Sequence, residues 1–469
     1  MTFTTVPVQV AGPSYQSRSR PLSSQLTMNM YHQTSALGKD QLVLHSFPGQ
    51  SLLSAVSGAD RGAHIMKEVL FHVVGGILYE INSAYVQTNR GAVSGAGRCI
   101  MADDGINLVI VSDIVQVYNS STQTMTTVTD ADIVGAISVA FLNNQFLYTK
   151  PDLTTVSTVG DPLTANGLDA VGAESSPDDL VRDFVYDQTI YRFGKRTCEL
   201  WYNTGVGRPP IDRIEGQAFT VGLAAIHSIA NTDNAIYWLG DDRAIYRTVG
   251  DAKERISDDG ISNHLESFNT IDDAIGYTFT LQGQDFYLIT FPTENKTFLV
   301  NESLGKNGWV NLSSGVSEDA YSGTSFANAY GKNLVFNNGS LLELKLDEYT
   351  QDSDTLIRER ILASINSDIL GVKGRAIKFS RLELIMEQGI GLITGQGEDP
   401  KIIVEYSIDG GRSFASGGFV SVGRAGEHTL RVEWFKIIRC TDLIIKLRIS
   451  DPVPISIFSG AVDIKLVGR

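Results

Sequence analysis

The segment FHVVGGILYEI, residues 71–81, reads as two short alternating strands joined by a Gly75-Gly76 turn. Alternation at period 2 marks a half-buried strand, and glycines supply the positive φ angles that a tight hairpin needs. The phrase returns as LVIVSDIVQVY from Leu108, TIYRFGKRTCELW from Thr189, AIYWLGDDRAIYR from Ala235 and NLVFNNGSLLELKL from Asn333. Looser copies begin at Gln145 (QFLYTKPDLTTVSTV) and Asp285 (DFYLITFPTENKTFLV). Measured at Phe71, Leu108, Phe146, Ile190, Ile236, Phe286 and Leu334, the spacing runs from 37 to 50 residues. One hairpin per roughly 40–50 residues is the mark of a β-propeller. Residues 51–350 are therefore assigned to a β-propeller-like domain. Seven hairpins do not by themselves prove seven blades, because irregular propellers drop or split them.

The flanks differ from this body. Residues 1–50 are polar, with Pro7, Pro13, Pro21 and Pro48, and read as an extended N-terminal arm with one strand around Thr5–Val10. Met28, Met30, Tyr31 and Phe47 demand burial and should anchor it, and Pro48-Gly49 should turn. Residues 351–469 lose the period. KFSRLELIMEQG from Lys378, PKIIVEYSIDGG from Pro400, TLRVEWFKIIR from Thr429, DLIIKLRIS from Asp442 and FSGAVDIKLVG from Phe458 are longer strands. They predict a C-terminal β-sandwich-like or jelly-roll-like domain, with Asp409-Gly410-Gly411 as a hairpin turn. The fold class is all-β. Two short helices are expected, over Asp178–Val185 and over Asp259–Ser267.

The 469 residues carry a net charge of −15. Residues 351–469 hold 15 acidic and 16 basic side chains, so the whole acid excess lies in residues 1–350. Such a surface repels phosphate and argues against tight nucleic-acid binding there. It suits a wall past which DNA slides, and equally suits simple solubility. Cys99, Cys198 and Cys440 are three, widely spaced and without a CxxC, which reads as buried structural thiols rather than a disulfide or zinc framework. The first twenty residues lack the apolar core of a secretory signal, and no run reaches the roughly 18 apolar residues of a membrane helix. Synthesis in a cytoplasm is expected, where the Asn311 and Asn338 glycosylation sequons carry no weight.

Chemistry is sparse. His32, His45, His64, His72, His227, His264 and His428 show no metal-ligand spacing, and neither a GxSxG elbow nor a GxxxxGK[ST] loop is present. GLITGQGED, residues 391–399, reads as a surface loop, not a phosphate cradle. No catalytic, cofactor-binding or metal residue is nominated, and no enzyme activity is expected. Ser407-Ile-Asp409-Gly-Gly-Arg-Ser-Phe414 resembles the Asp-box of sialidases, a hairpin device in which the Asp side chain holds turn amides. A single copy with Phe414 in place of Trp leaves a carbohydrate-binding or glycan-degrading propeller as the alternative function. Lys373, Arg375, Lys378 and Arg381 form a basic cluster, read either as a solvated sheet edge or as a dock for an acidic partner. Tyr191, Trp201, Tyr237, Trp238 and Trp434 read as blade or core packing.

The ordered phrases NMY (Asn29–Tyr31), HSFPG (His45–Gly49), DRGAH (Asp60–His64) and VVGGILYEI (Val73–Ile81) resemble the packaged-DNA stabilisation proteins of short-tailed phages. These are also called tail accessory factors, or tail nozzle or hub proteins, of podoviruses. The likeness continues through SGAGRCIMADDG (Ser94–Gly105), ELWYNTG (Glu199–Gly205), GQAFTVGLAAIHSI (Gly216–Ile229) and the C-terminal YSIDGGRSF and DPVPISIFSGAVDIKL. It spans nearly the whole chain. The resemblance implies a virion tail protein, a homohexameric ring that closes the DNA channel after packaging, retains the genome and conducts it during ejection. It implies adaptor or portal-side ring proteins and tail fibre, spike or needle proteins as partners. Double-stranded DNA would pass without sequence-specific binding. It implies no cofactor and transfers no site residues, so the lining of the DNA channel stays unassigned.

Overall fold

The computed structural model describes residues 2–34, 41–172 and 178–467. Seven four-stranded antiparallel blades surround one axis. Six are built from consecutive strands, over residues 60–92, 100–127, 138–171, 180–219, 230–255 and 275–314. Each repeated hairpin of the sequence forms the second and third strands of one blade.

The first strand of each blade lies innermost, and strands such as Asp60–Met66, Ile100–Asp103 and Ser138–Leu142 neighbour one another around the axis. Five of the seven inner hairpins close on two residues that both have positive φ: Lys67-Glu68, Asn143-Asn144, Asp187-Gln188, Gln282-Gly283 and Tyr330-Gly331. That is the type I′ geometry, whose twist matches the flanking strands.

Blade faces are apolar on both sides, so each packs on the next. Among the described residues, seven separate hydrophobic clusters fill the seven blade junctions. Leu78 and Ile110 sit between blades one and two, and Trp238 with Phe193 between blades four and five. The last junction, between blades seven and one, is filled by Leu70, Ile81, Leu334 and Phe336. Tyr191, Trp201, Tyr237, Trp238 and Trp434 are all buried in such clusters or in the sandwich core, and Cys99, Cys198 and Cys440 are buried free thiols.

Closure comes from the N-terminus. The outermost strand of blade seven is Gly49–Ala55, antiparallel to Ser340–Lys345. At Gly49 an added Cβ would lie 2.4 Å from the Thr350 carbonyl oxygen, so a side chain there would push the strand away.

The C-terminal strands form a sandwich. One sheet runs Met30–Thr34, Leu42–Ser46, Ser456–Leu466, Ile377–Met386, Val432–Cys440, with Thr4–Val8 also on Ser456–Leu466. The facing sheet runs Ser24–Met28, Arg358–Ile361, Asp442–Ile449, Lys401–Ser407, Ala415–Ser421. Phe379, Leu382, Trp434, Ile445 and Val462 lie between them. The second sheet joins blade six through the parallel pair Met28 and Asn311, so one sheet crosses from propeller to sandwich.

Three expectations change. The first fifty residues hold several strands, not one, and are laced into both bodies, with Met28, Met30, Tyr31 and Phe47 buried. Asp178–Val185 is not a helix: Leu180–Tyr186 is the inner strand of blade four, and the Asp178 carboxylate instead accepts from the Arg196 and Thr197 amides at 2.8 and 2.9 Å. The strand bearing Lys378 and Arg381 is interior to its sheet; the edge strand is Val432–Cys440. The Asp259–Ser267 helix is present, N-capped by Asp258, which accepts from the Ile261 amide at 2.7 Å.

Candidate functional site

The inner edges of six blades, all but blade three, line a central cavity of about 220 Å3. The phrases DRGAH and SGAGRCIMADDG meet at its wall. Arg61 donates to the carbonyls of Gly75, Val93, Ser94 and Gly97, tying blade one to the loop that leads into blade two. Asp60 is the weld across the ring closure. Its Oδ1 meets His72 Nε2 at 2.9 Å, and its Oδ2 accepts from Arg98 at 3.1 Å and from Thr324 and Ser325 at 2.6 Å each. Burial alone would raise the Asp60 pKa, but the His72 bond and the Arg98 guanidinium outweigh it and hold the carboxylate well below its usual range.

Cationic and imidazole groups gather here. His64 bonds Asp103 at 2.7 Å. Arg98 bridges Asp60 and Ser325. Arg182, from the inner strand of blade four, donates to the Ile226 carbonyl at 2.8 Å and lies over the Phe184 ring. His227 faces both arginines. Burial first, then the Arg98 and Arg182 charges, push its pKa down to about 3, so it is neutral.

The other histidines do structural work or lie apart. His32 is buried, with its pKa lowered to about 4 by burial and then by Arg360. His45 meets Ser456 at 3.0 Å, His264 meets Gln16 at 3.0 Å, and His428 meets the Gln388 carbonyl at 3.2 Å. Among the described residues no group of His, Cys, Asp and Glu could hold a metal ion.

The Asp-box-like turn behaves as a folding device. Asp409 Oδ1 accepts from the Arg412 and Ser413 amides at 2.9 and 3.0 Å, and Oδ2 accepts from the Ser413 hydroxyl at 2.6 Å. Those Ser413 bonds lead the causes that hold its pKa well below the carboxylate norm. Asp409→Ala is expected to leave global stability nearly unchanged while the Arg412 and Ser413 amides exchange hydrogen much faster. Hydrogen-exchange mass spectrometry reads this directly. Residues 391–399 form a loop without a helix, as expected.

The basic cluster is partly neutralised. Arg381 pairs with Glu433 at 2.5 Å, Asp463 at 2.8 Å and Glu383 at 3.3 Å. Arg375 donates to the Val467 carbonyl at 2.8 Å. Lys378 stands in register with Arg439 on one side and Lys465 on the other. On the edge strand Val432–Cys440, Phe435 and Ile437 are 67% and 63% exposed. Phe419, on the edge strand of the facing sheet, is 62% exposed. The neighbouring edge strands Val432–Cys440 and Ala415–Ser421, one from each sheet, therefore present apolar side chains to solvent on one side of the sandwich, a feature that a covering neighbour would explain.

Sequence reading nominated none of Asp60, Arg98 or Arg182 as a functional group. A buried Asp-Arg pair that precedes a glycine at the head of a blade is the signal that could have drawn attention to the first of them.

The class defined by the fold is a seven-bladed propeller joined to a β-sandwich by a shared sheet. A family model described as "Bacteriophage P22 Gp10, beta-propeller" matches residues 4–348, and a second, "Bacteriophage P22 Gp10, beta-sandwich", matches residues 364–465. The chain belongs to this family of phage virion structural proteins, which is not an enzyme family.

No curated protein matches the sequence. Among solved structures, the chain is similar to PorZ of the type-IX secretion system of Porphyromonas gingivalis, at 11% identity and a TM-score of 0.37, over 63% of this chain and 39% of that one. It is similar to the N-terminal domain of Nup159, at 10% identity and a TM-score of 0.41, over 68% and 99%. It is also similar to the extracellular domain of BT4673 from B. thetaiotaomicron, at 7% identity and 0.44, over 82% and 47%. The chain thus spans less than half the length of PorZ and of the BT4673 domain. No helix among the described residues is long and apolar enough to cross a membrane.

Proposed function

We propose that this chain forms the nozzle or hub ring of a short phage tail, closing the DNA channel after packaging, retaining the genome and conducting it during ejection. Membership of the Gp10 family over both bodies carries the reading. In this reading residues up to 50 act as a stitching segment, residues 51–350 as the propeller wall and residues 351–469 as the sandwich. Copies join into a homohexameric ring in the virion tail, made in the host cytoplasm, docked on an adaptor or portal-side ring and contacted by fibre, spike or needle proteins.

The charge distribution supports it. An acid-rich propeller repels phosphate and lets duplex DNA slide. The exposed Phe435, Ile437 and Phe419 on the sandwich edges support copy-to-copy contact.

Native mass spectrometry of the purified chain, alone and with an adaptor–portal complex, tests the reading. A closed ring is expected in one of the two samples, and its loss is expected in the double variant Phe435→Glu, Ile437→Glu. A chain that stays monomeric at high concentration and ignores the adaptor would count decisively against it.

A further inference from the structure

The axial cavity is unusual for this chain. Its sixteen lining residues include Arg98, Arg182, His64 and His227 and no Asp or Glu, in a protein of net charge −15. Arg98 is matched by Asp60. Arg182 is not matched. One Nη donates to Ile226 and the Nε is sealed from solvent without a hydrogen-bond partner, which leaves the Nη edge of the guanidinium to face the cavity. No carboxylate pairs with it among the described residues, and burial alone shifts its pKa, down to about 10. A partly buried guanidinium without a carboxylate partner is costly, and the two Nη atoms of its planar fork fit two oxygens of one oxyanion. His227 is neutral beside it and adds no charge of its own. The Phe184 ring, 5.5 Å from the guanidinium carbon, supports the Arg182 plane from one face. Gly62 and Gly276 lie in the wall, so backbone can approach a ligand there.

We infer that the propeller axis is a binding site for one small oxyanion, gripped by the Arg182 fork between blades one and four and in reach of Arg98 and His227. The cavity of about 220 Å3 has room for such an ion with several waters, each of roughly 30 Å3, and not for a nucleic-acid strand. Inorganic phosphate and a carboxylate offer the same chemistry. The ion would link inner strands of separate blades, and so brace the ring of blades from inside.

Isothermal titration calorimetry on the full chain, at constant ionic strength in chloride, tests this with inorganic phosphate and with acetate. Saturable one-to-one binding of either is expected, and which one binds tells phosphate from carboxylate preference. Arg182→Gln is expected to weaken it about tenfold or more, with unchanged circular dichroism. Neither ion binding to the native chain, or equal binding by Arg182→Gln, would overturn the inference. Should that variant misfold, crystals of the native chain soaked in selenate decide. An anomalous peak within hydrogen-bond reach of the Arg182 Nη atoms supports the site, and water alone at those atoms removes it.

Discussion

Replacing Arg360 by methionine is expected to lower the unfolding free energy by about 3–5 kcal/mol. The side chain is fully buried where the N-terminal segment crosses the sandwich. Its Nε donates to the Val10 carbonyl at 2.7 Å, one Nη to the Pro13 carbonyl and the Thr27 hydroxyl at 3.0 Å each, and the other to Gln25 at 3.0 Å. Burial pushes its pKa down to about 9, so it remains charged at neutral pH. Methionine fills the space but leaves carbonyls of an irregular segment without donors, and buried unsatisfied groups cost about 1–3 kcal/mol each. The segment then loses its grip between Pro13 and Met28, just before the strands that feed the sandwich and close blade seven. Denaturant titration should show a lower midpoint and proteolysis should begin within residues 10–30. Arg431→Ala, at a side chain 72% exposed, should stay within about 0.5 kcal/mol of the native chain. Equal stability of Arg360→Met and the native chain would show that the stitching is held by strand pairing alone.

The same segment marks where sequence reading runs out. The hairpins at Phe71, Leu108 and Asn333 were legible because both strands of each alternate and a Gly, Asn or Asp turn lies between them. The inner hairpins were not, since Lys67-Glu68 and Tyr330-Gly331 adopt type I′ angles without the Asn-Gly signature. Gly49–Ala55 looks like any short strand. Nothing local says that it pairs with Ser340–Lys345, nearly three hundred residues away. The Leu180–Tyr186 strand misleads for a related reason. Leu180 and Phe184 are spaced as on a helix face, but the β-branched Val181 and Val185 and the Asp187-Gln188 turn fix it as a strand. The axial cavity was not legible. Arg98, Arg182 and His227 come from three different blade regions and meet only because the ring closes.

That closure also sets the response to acid. The chain is expected to lose about 3 kcal/mol of stability between pH 7 and pH 4.5. His32 and His227 are neutral in the folded state, with pKa values lowered to about 4 and about 3, against about 6.5 in the unfolded chain. Below pH 6.5 the unfolded chain therefore binds protons that the folded chain refuses, and stability falls as pH falls. Each histidine contributes about 2–3 kcal/mol of loss by pH 4.5. Asp258 runs the other way. Burial raises its folded pKa to about 6, so the folded state takes up a proton before the unfolded one does and regains about 2 kcal/mol over the same range. Asp60, held low by His72 and Arg98, contributes its own loss only at lower pH, below the unfolded carboxylate range. His45 and His264 are shifted in the same direction as His32 by burial, and steepen the fall. Denaturant midpoints measured at half-unit pH steps should thus decline from pH 6.5 downward, and Asp258→Asn, which keeps the helix cap but cannot titrate, should steepen the decline. His227→Gln should flatten it. A profile level from pH 7 to 4.5 in all three proteins would mean that the axis of the propeller opens to water far more than its packing indicates.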